Sequence, residues 1–340
     1  MTDNVIGLGE YRSPTPSRKV DMRSAFGWLD MPSPVLTASG CAASGRELDQ
    51  FFDITELGAV ITKSVMMQPR AGRPTPRMCE TPSGMLNSIG LQGPGIDTFI
   101  EEDLAWLEAR GVRTVVSIAG ESIEEYGKLA QKLRNASGVD GIEVNISCPN
   151  VSSPGHFFAD DPMAAANVVS TVRRQCDSNT PVYVKLSPDV TDITEVAMAV
   201  VKAGANGVTL INTARGLVID VDTMLPALAG TTGGLSGPAI RPIALRCVWQ
   251  VRAAVPEIPI LGVGGIATGL DALQFILAGA SAVSVGSMTF NDPTAPIRVQ
   301  EELEVALGER GFASVADAVS YGHRADRPLG ADSVAGLPRR

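Results

Sequence analysis

Eight short apolar runs, each followed by a stretch of helical pattern or a long polar loop, constrain this chain more than any single motif. The runs are Val35–Ser39, Ala59–Lys63, Thr114–Ile118, Gly141–Ile146, Val182–Leu186, Gly207–Asn212, Pro259–Val263 and Ala282–Gly286. They are rich in Val and Ile and lack polar alternation, as strands buried on both faces do. Helical patterns cover Ile96–Arg110, Ile123–Arg134, Pro162–Gln175, Ile193–Ala203, Pro238–Ala254, Leu270–Leu277 and Pro293–Leu307. Three of them run out at Gly111, Gly204 and Gly279, where glycine supplies a left-handed cap before the next strand. Eight βα units in series predict a (β/α)8 (TIM) barrel with long loops on its C-terminal face. A doubly wound sheet is the alternative; the similar unit length and the absence of a composition break favour one barrel.

The predicted domains are an N-terminal arm over 1–30, the barrel over 31–312, and a C-terminal tail over 313–340 whose Pro/Gly/Ala/Asp-rich end reads as disordered. Two connections are long, Ser64–Gly95 and Thr213–Gly237. Both follow a strand, and so belong to the face on which barrel active sites form.

The strand ends carry the polar residues. They present Ser39, Thr62 and Lys63, Ser117, Asn145, Lys185, Asn212 and Thr213, Gly264 and Gly265, and Gly286 and Ser287 in turn. Turn chemistry alone accounts for Gly and Ser. It accounts poorly for two lysines, which inside a barrel mouth need an anion or incur a desolvation cost. The glycines after the last two runs leave backbone N–H groups able to close on a phosphate. Their spacing is not that of a dinucleotide fingerprint, and in a barrel they point to a mononucleotide such as FMN.

Composition excludes several classes. With 28 basic against 37 acidic residues and no basic run, nucleic acid is not expected as a partner. No run of about 20 apolar residues exists to span a membrane, and no signal peptide opens the chain. The five cysteines form no CxxC pair, so no metal site is expected, and free thiols point to a reducing cytoplasm. Cys148 stands apart, on a polar loop in the run Asn145-Ile-Ser-Cys-Pro-Asn150. A thiol there can act as nucleophile or as base. With only His156 and His323 in the chain, a Cys-His hydrolase is disfavoured. Lys185 can be read as a Schiff-base lysine or as a cation over a flavin ring, and Lys63 has the same choice or pairs with a substrate carboxylate.

The segments Met85–Gln92, Glu143–Val151, Val184–Asp189, Ile211–Thr213 and Gly233–Ile240 together resemble the class 1 dihydroorotate dehydrogenases, with the Gly-Leu-Ser-Gly-Pro-Ala run most similar to subclass 1B. The resemblance covers roughly residues 33–310. It implies FMN across the barrel mouth, its phosphate near Gly237, Gly264, Gly265, Gly286 and Ser287, and its ring lined by Ser39, Thr62, Lys63, Ser117, Asn145, Lys185 and Ile211. Dihydroorotate would meet Lys63, Asn87, Ser88, Ile89, Gly90, Leu91, Asn145, Asn212 and Thr213. Cys148 would take the C5 proton as hydride leaves C6 for flavin N5, in the synthesis of UMP. Subclass 1B catalytic subunits pair with a subunit carrying FAD and a [2Fe-2S] cluster that passes electrons to NAD, and a homodimer core is expected. Two positions depart from the family pattern: Gly93, where Asn is usual, and Arg215, where an apolar residue is usual. They leave open a paralogue acting on another cyclic amide or enone.

Overall fold

The computed structural model describes residues 19–147 and 158–324. Eight parallel strands form its centre: β1 (Val35–Thr37), β2 (Val60–Ile61), β3 (Thr114–Ile118), β4 (Gly141–Asn145), β5 (Val182–Leu186), β6 (Gly207–Leu210), β7 (Ile260–Val263) and β8 (Ala282–Val285). Each pairs with its neighbours in chain order, and β8 returns to pair with β1. A parallel bridge between Leu36 and Ala59 joins β1 to the start of β2 and closes the ring. The predicted barrel is therefore present. Several strands stop short of the sequence-predicted runs: Ser39, Lys63, Ile146, Asn212 and Gly286 lie past the last paired residue. The polar ends leave the ladder and become the mouth.

The helices follow from caps and periodicity. Over Ile123–Arg134 the Ser122 side chain accepts from the Glu125 N–H, acids fill the first turn and Lys132 and Arg134 the last. Tyr126, Leu129, Ala130 and Leu133 form the buried face at helical spacing. Gly269–Ala278 begins with a reciprocal capping box of Thr268 and Asp271 and ends on left-handed Gly279. One helix departs from regularity. Between Ile96 and Arg110 the segment Phe99–Leu104 is π-helical, with Phe99 and Leu104 both buried. An α-helix would put residues five apart on different faces; the wider turn brings both inward.

The barrel's lower end is sealed by the hairpin Ser24–Phe26/Leu29–Met31. Phe26 stacks on Tyr183 with ring centroids 3.9 Å apart, and the Tyr183 hydroxyl donates to Phe26 O at 2.5 Å. Gly141 and Gly207 make room for them: a Cβ at Gly141 would lie 2.8 Å from the Tyr183 ring, and one at Gly207 2.8 Å from the Phe26 ring. With Leu36, Ala59, Ile61, Val115, Leu261 and Ala282 these rings fill the lower interior as one apolar cluster. Past Phe312 the chain continues to pack, with Val315 and Ala318 of a short helix buried in the outer core.

At the opposite end the two long loops meet. Met78–Thr81 and Gly84–Asn87, from the loop after β2, join Gly233–Ser236 and Ala214–Gly216, from the loop after β6, in one four-stranded antiparallel sheet. This sheet stands on the face where the strand ends gather. Among the described residues no helix is long and apolar enough to cross a membrane.

Candidate active site

Period two along the strands sends alternate residues into the barrel, and in its upper half these are polar. Ser117, Asn145 and Lys185 are buried there, and Thr62, out of phase with the inward-facing Ile61, is buried beside them. Thr62 Oγ1 accepts from the Ser117 N–H at 3.2 Å. Asn145 and Lys185 are register partners on adjacent strands. The Lys185 ammonium donates to Ser39 Oγ at 3.0 Å, and Lys63 Nζ would lie 3.4 Å from a Cβ placed on Gly40. The ends of β1, β2 and β5 thus collect two lysines. Cys41 lies among them: burial pushes its thiol pKa up, and the Lys185 and Lys63 charges oppose that.

The neutral amides form a second group. Asn212 Nδ2 donates to Asn145 Oδ1 at 3.1 Å, and Asn212 Oδ1 accepts from the Thr213 N–H at 2.8 Å. Asn87, at the end of its strand, donates from Nδ2 to Gly234 O at 3.3 Å, while Thr213 Oγ1 lies against Gly234. The segment Ser88–Leu91 is clasped by arginines that the sequence reading had passed over. Arg73 Nη1 donates to Ser88 Oγ at 3.1 Å, the Arg73 N–H to Ile89 O at 3.0 Å, and Arg70 Nε to Gly90 O at 3.0 Å. Gly90 and Leu91 both have positive φ, 79° and 55°. That is ordinary for glycine and uncommon for leucine. Leu91 and Lys63 line one cavity, with Ser64 and Gly93.

The glycine group comes together beside β7 and β8. Gly237, Gly264 and Gly265 have positive φ, and a Cβ on Gly265 would sit 2.6 Å from Gly237 O. Only glycine permits that approach. Gly237 immediately precedes the helical stretch Pro238–Ala254, and Gly286 the turn Ser287–Phe290. Arg241 holds the cradle, donating to Gly265 O at 3.2 Å and pairing with Asp271 at 2.5 Å. Ile211 is buried beside this group, its N–H bonded to Val263 O.

These features fit a flavin mononucleotide. The cradle offers backbone at two helix starts for a phosphate, and the lysines supply cations for an electron-rich ring. Ser284 Oγ, buried in the barrel interior, has no hydrogen-bond partner among the described residues. Cys148 and His156 lie outside the described residues. The described chain reaches Ser147, whose hydroxyl donates to Lys185 O at 2.7 Å and whose N–H donates to Asn145 Oδ1 at 3.2 Å. The residue before Cys148 is therefore fixed to both the amide and the lysine groups.

Besides Arg70 and Arg73, three residues escape the sequence reading: Glu143, Ser64 and Thr209. Glu143 Oε1 accepts from Ser117 Oγ at 3.2 Å and Oε2 from Thr209 Oγ1 at 3.0 Å. The available signal was a carboxylate inside the apolar run Gly141–Asn145, in phase with Asn145.

Comparison with known proteins gives the family. A family model described as dihydroorotate dehydrogenase matches residues 22–307. The protein named dihydroorotate dehydrogenase B (NAD(+)), catalytic subunit, from Geotalea uraniireducens is 49% identical over 301 residues, which are 88% of this chain and 98% of that one. Proteins of the same name from Geobacter sulfurreducens and Desulforamulus reducens are each 47% identical. Those alignments take in 89% and 90% of this chain, and 98% and 99% of the relatives.

Proposed function

The chain belongs to the dihydroorotate dehydrogenase family, and from that premise we infer that it oxidises (S)-dihydroorotate to orotate with FMN, in the cytoplasm, as a step of pyrimidine synthesis. The observation that carries this reading is the joining of two groups at one end of the barrel. Lys63 and Lys185 bring cations, and Asn145 and Asn212 bring linked amides that match a ring carrying amide N–H and C=O groups.

Bound FMN supplies the two-electron acceptor for the C6–H bond. Gly237, Gly264, Gly265, Gly286 and Ser287 hold its phosphate; Ser39, Thr62, Lys63, Ser117, Asn145, Lys185 and Ile211 line its ring. Asn87 and the segment Ser88–Leu91, with Asn145, Asn212, Thr213 and Lys63, orient dihydroorotate. Asn145 and Asn212 each keep one amide N–H beyond those engaged among the described residues, a donor for the substrate. Cys148 takes the C5 proton, and its neighbour Ser147 is anchored to Lys185 and Asn145 to aim it. The two long loops are zipped into one sheet beside these residues.

The relatives are named as the catalytic subunit of an NAD(+)-linked enzyme, so this chain works with a separate electron-transfer subunit carrying FAD and a [2Fe-2S] cluster, on a homodimer core. A second reading, a paralogue acting on another cyclic amide, draws on Gly93, where a Cβ would meet nothing within 4 Å. Gly93 lines the same cavity as Lys63 and Leu91. Arg215 does not favour that reading, because its backbone N–H and guanidinium are both directed at Asp189.

Expression in a pyrimidine-requiring strain lacking dihydroorotate oxidation separates the two. Growth without uracil, with orotate formed from dihydroorotate by the purified enzyme and an artificial acceptor, is expected. No growth and no orotate would leave the paralogue.

A further inference from the structure

We propose that Glu143 is a positioning residue for substrate binding, the fixed end of a hydrogen-bond chain that sets the orientation of Asn145 and Asn212. It rests on the reading of those two amides as substrate ligands.

Glu143 is 1% exposed and lies two residues before Asn145 on β4, so both point into the barrel. A buried carboxylate costs free energy unless hydrogen bonds offset it, and here two hydroxyls face its two oxygens. Only one of these leads to the mouth. The Ser147 N–H, a donor by its nature, points at Asn145 Oδ1, as does Asn212 Nδ2. Asn145 Nδ2 must then donate to Ser64 Oγ, at 3.0 Å. The Ser64 hydroxyl is left to donate to Ser117 Oγ, at 2.9 Å, and the Ser117 hydroxyl to Glu143 Oε1. Every proton in the chain runs downward, and the chain needs an acceptor at its foot; a carboxylate is acceptor-only when ionised. Without that acceptor the Ser117 hydroxyl turns toward Ser64 Oγ, and the one-way chain that tethers the Asn145 amide loses its fixed direction. The Thr209 hydroxyl, on the other carboxylate oxygen, is a side branch.

The test uses FMN-loaded enzyme and dihydroorotate, with KM, kcat, flavin content and crystal structures of the variants as readouts. Glu143→Leu is expected to raise KM roughly tenfold, the scale of one disordered hydrogen bond, and to lower kcat by less than that, because Asn145 also accepts from the Ser147 N–H beside Cys148. Glu143→Gln restores KM, because its amide oxygen can face Ser117 while its Nε2 donates to Thr209. Ser64→Ala, which cuts the chain above the carboxylate, raises KM as Glu143→Leu does. Thr209→Val, which removes the side branch, leaves KM unchanged. A wild-type KM in Glu143→Leu, an equal defect in Glu143→Gln, or equal effects of Ser64→Ala and Thr209→Val would each overturn the proposal. Should Glu143→Leu fail to fold, the Ser64→Ala and Thr209→Val pair decides alone. Should the wild-type enzyme not act on dihydroorotate, the proposed function has failed, and the variant structures decide this point. Displaced Asn145 and Asn212 amides in Ser64→Ala, set against native ones in Thr209→Val, support it; native placement in both overturns it.

Discussion

The lower and upper halves of the barrel interior share the same eight strands, with the N-terminal hairpin plugging the lower one, and have opposite chemistry. Below, Phe26, Leu36, Ile61, Val115, Tyr183 and Leu261 form a dry plug, and the one phenol among them is capped by a backbone carbonyl. Above, Ser64, Ser117, Glu143, Asn145, Lys185 and Thr209 are equally buried but tied by side-chain hydrogen bonds. The change occurs within a single strand: β4 passes from Gly141 beside the Tyr183 ring to Glu143 and Asn145 in the network. The lesson is a division of labour. The apolar half supplies stability and holds the strands rigid; the polar half uses that rigidity to fix groups which would otherwise reorganise around a ligand.

Substitutions at the two ends should therefore separate activity from stability. The largest effect belongs to the upper end. Cys148→Ser is expected to keep its flavin and its melting temperature and to slow flavin reduction by dihydroorotate by about 10²–10⁴-fold, the range of general-base catalysis. Stopped-flow absorbance measures it, and an unchanged rate removes the base role. Phe26→Ala should do the reverse. Loss of the stacked ring is expected to cost about 3–5 kcal/mol in denaturant unfolding, with turnover per bound flavin unchanged; a matching loss of turnover would mean that the halves are coupled.

Tyr183→Phe is the smaller probe of the plug, expected to cost about 1–3 kcal/mol because Phe26 O loses its donor. It also carries a pH signature. Burial, helped by the Asp140 charge, raises the Tyr183 pKa far above that of a free phenol. Above about pH 10 the unfolded chain releases this proton while the native state keeps it, so stability is full below that pH and falls as pH rises beyond it. Melting curves from pH 8 to 11 should fall less steeply for Tyr183→Phe than for wild type; identical slopes would place Tyr183 in contact with solvent.

Much of the barrel was legible in the sequence because its elements are locally determined. Thr114–Ile118 and Val182–Leu186 are apolar runs with clear ends, and Ile123–Arg134 and Pro162–Gln175 carry their own caps, so these four match residue for residue. The mouth was legible as a collection of polar strand ends, including the lysine, asparagine and glycine groups that the structure brings together. What escaped depends on partners distant in the chain. The pairing of Gly84–Asn87 with Gly233–Ser236 joins segments of weak strand character, rich in glycine, across most of the barrel. The arginines over Ser88–Gly90 follow a Pro-rich loop whose path no local rule sets. Glu143 was visible as an acid in an apolar strand, but its meaning lies in Ser117 and Thr209, contributed by two other strands.

The central claim, that the polar end of this barrel oxidises dihydroorotate, is tested most directly by an anaerobic titration of the FMN-loaded protein. Stoichiometric bleaching of the flavin band on adding dihydroorotate, with an equal amount of orotate formed, is the predicted result. A flavin that binds in the site yet stays oxidised with excess dihydroorotate would contradict it.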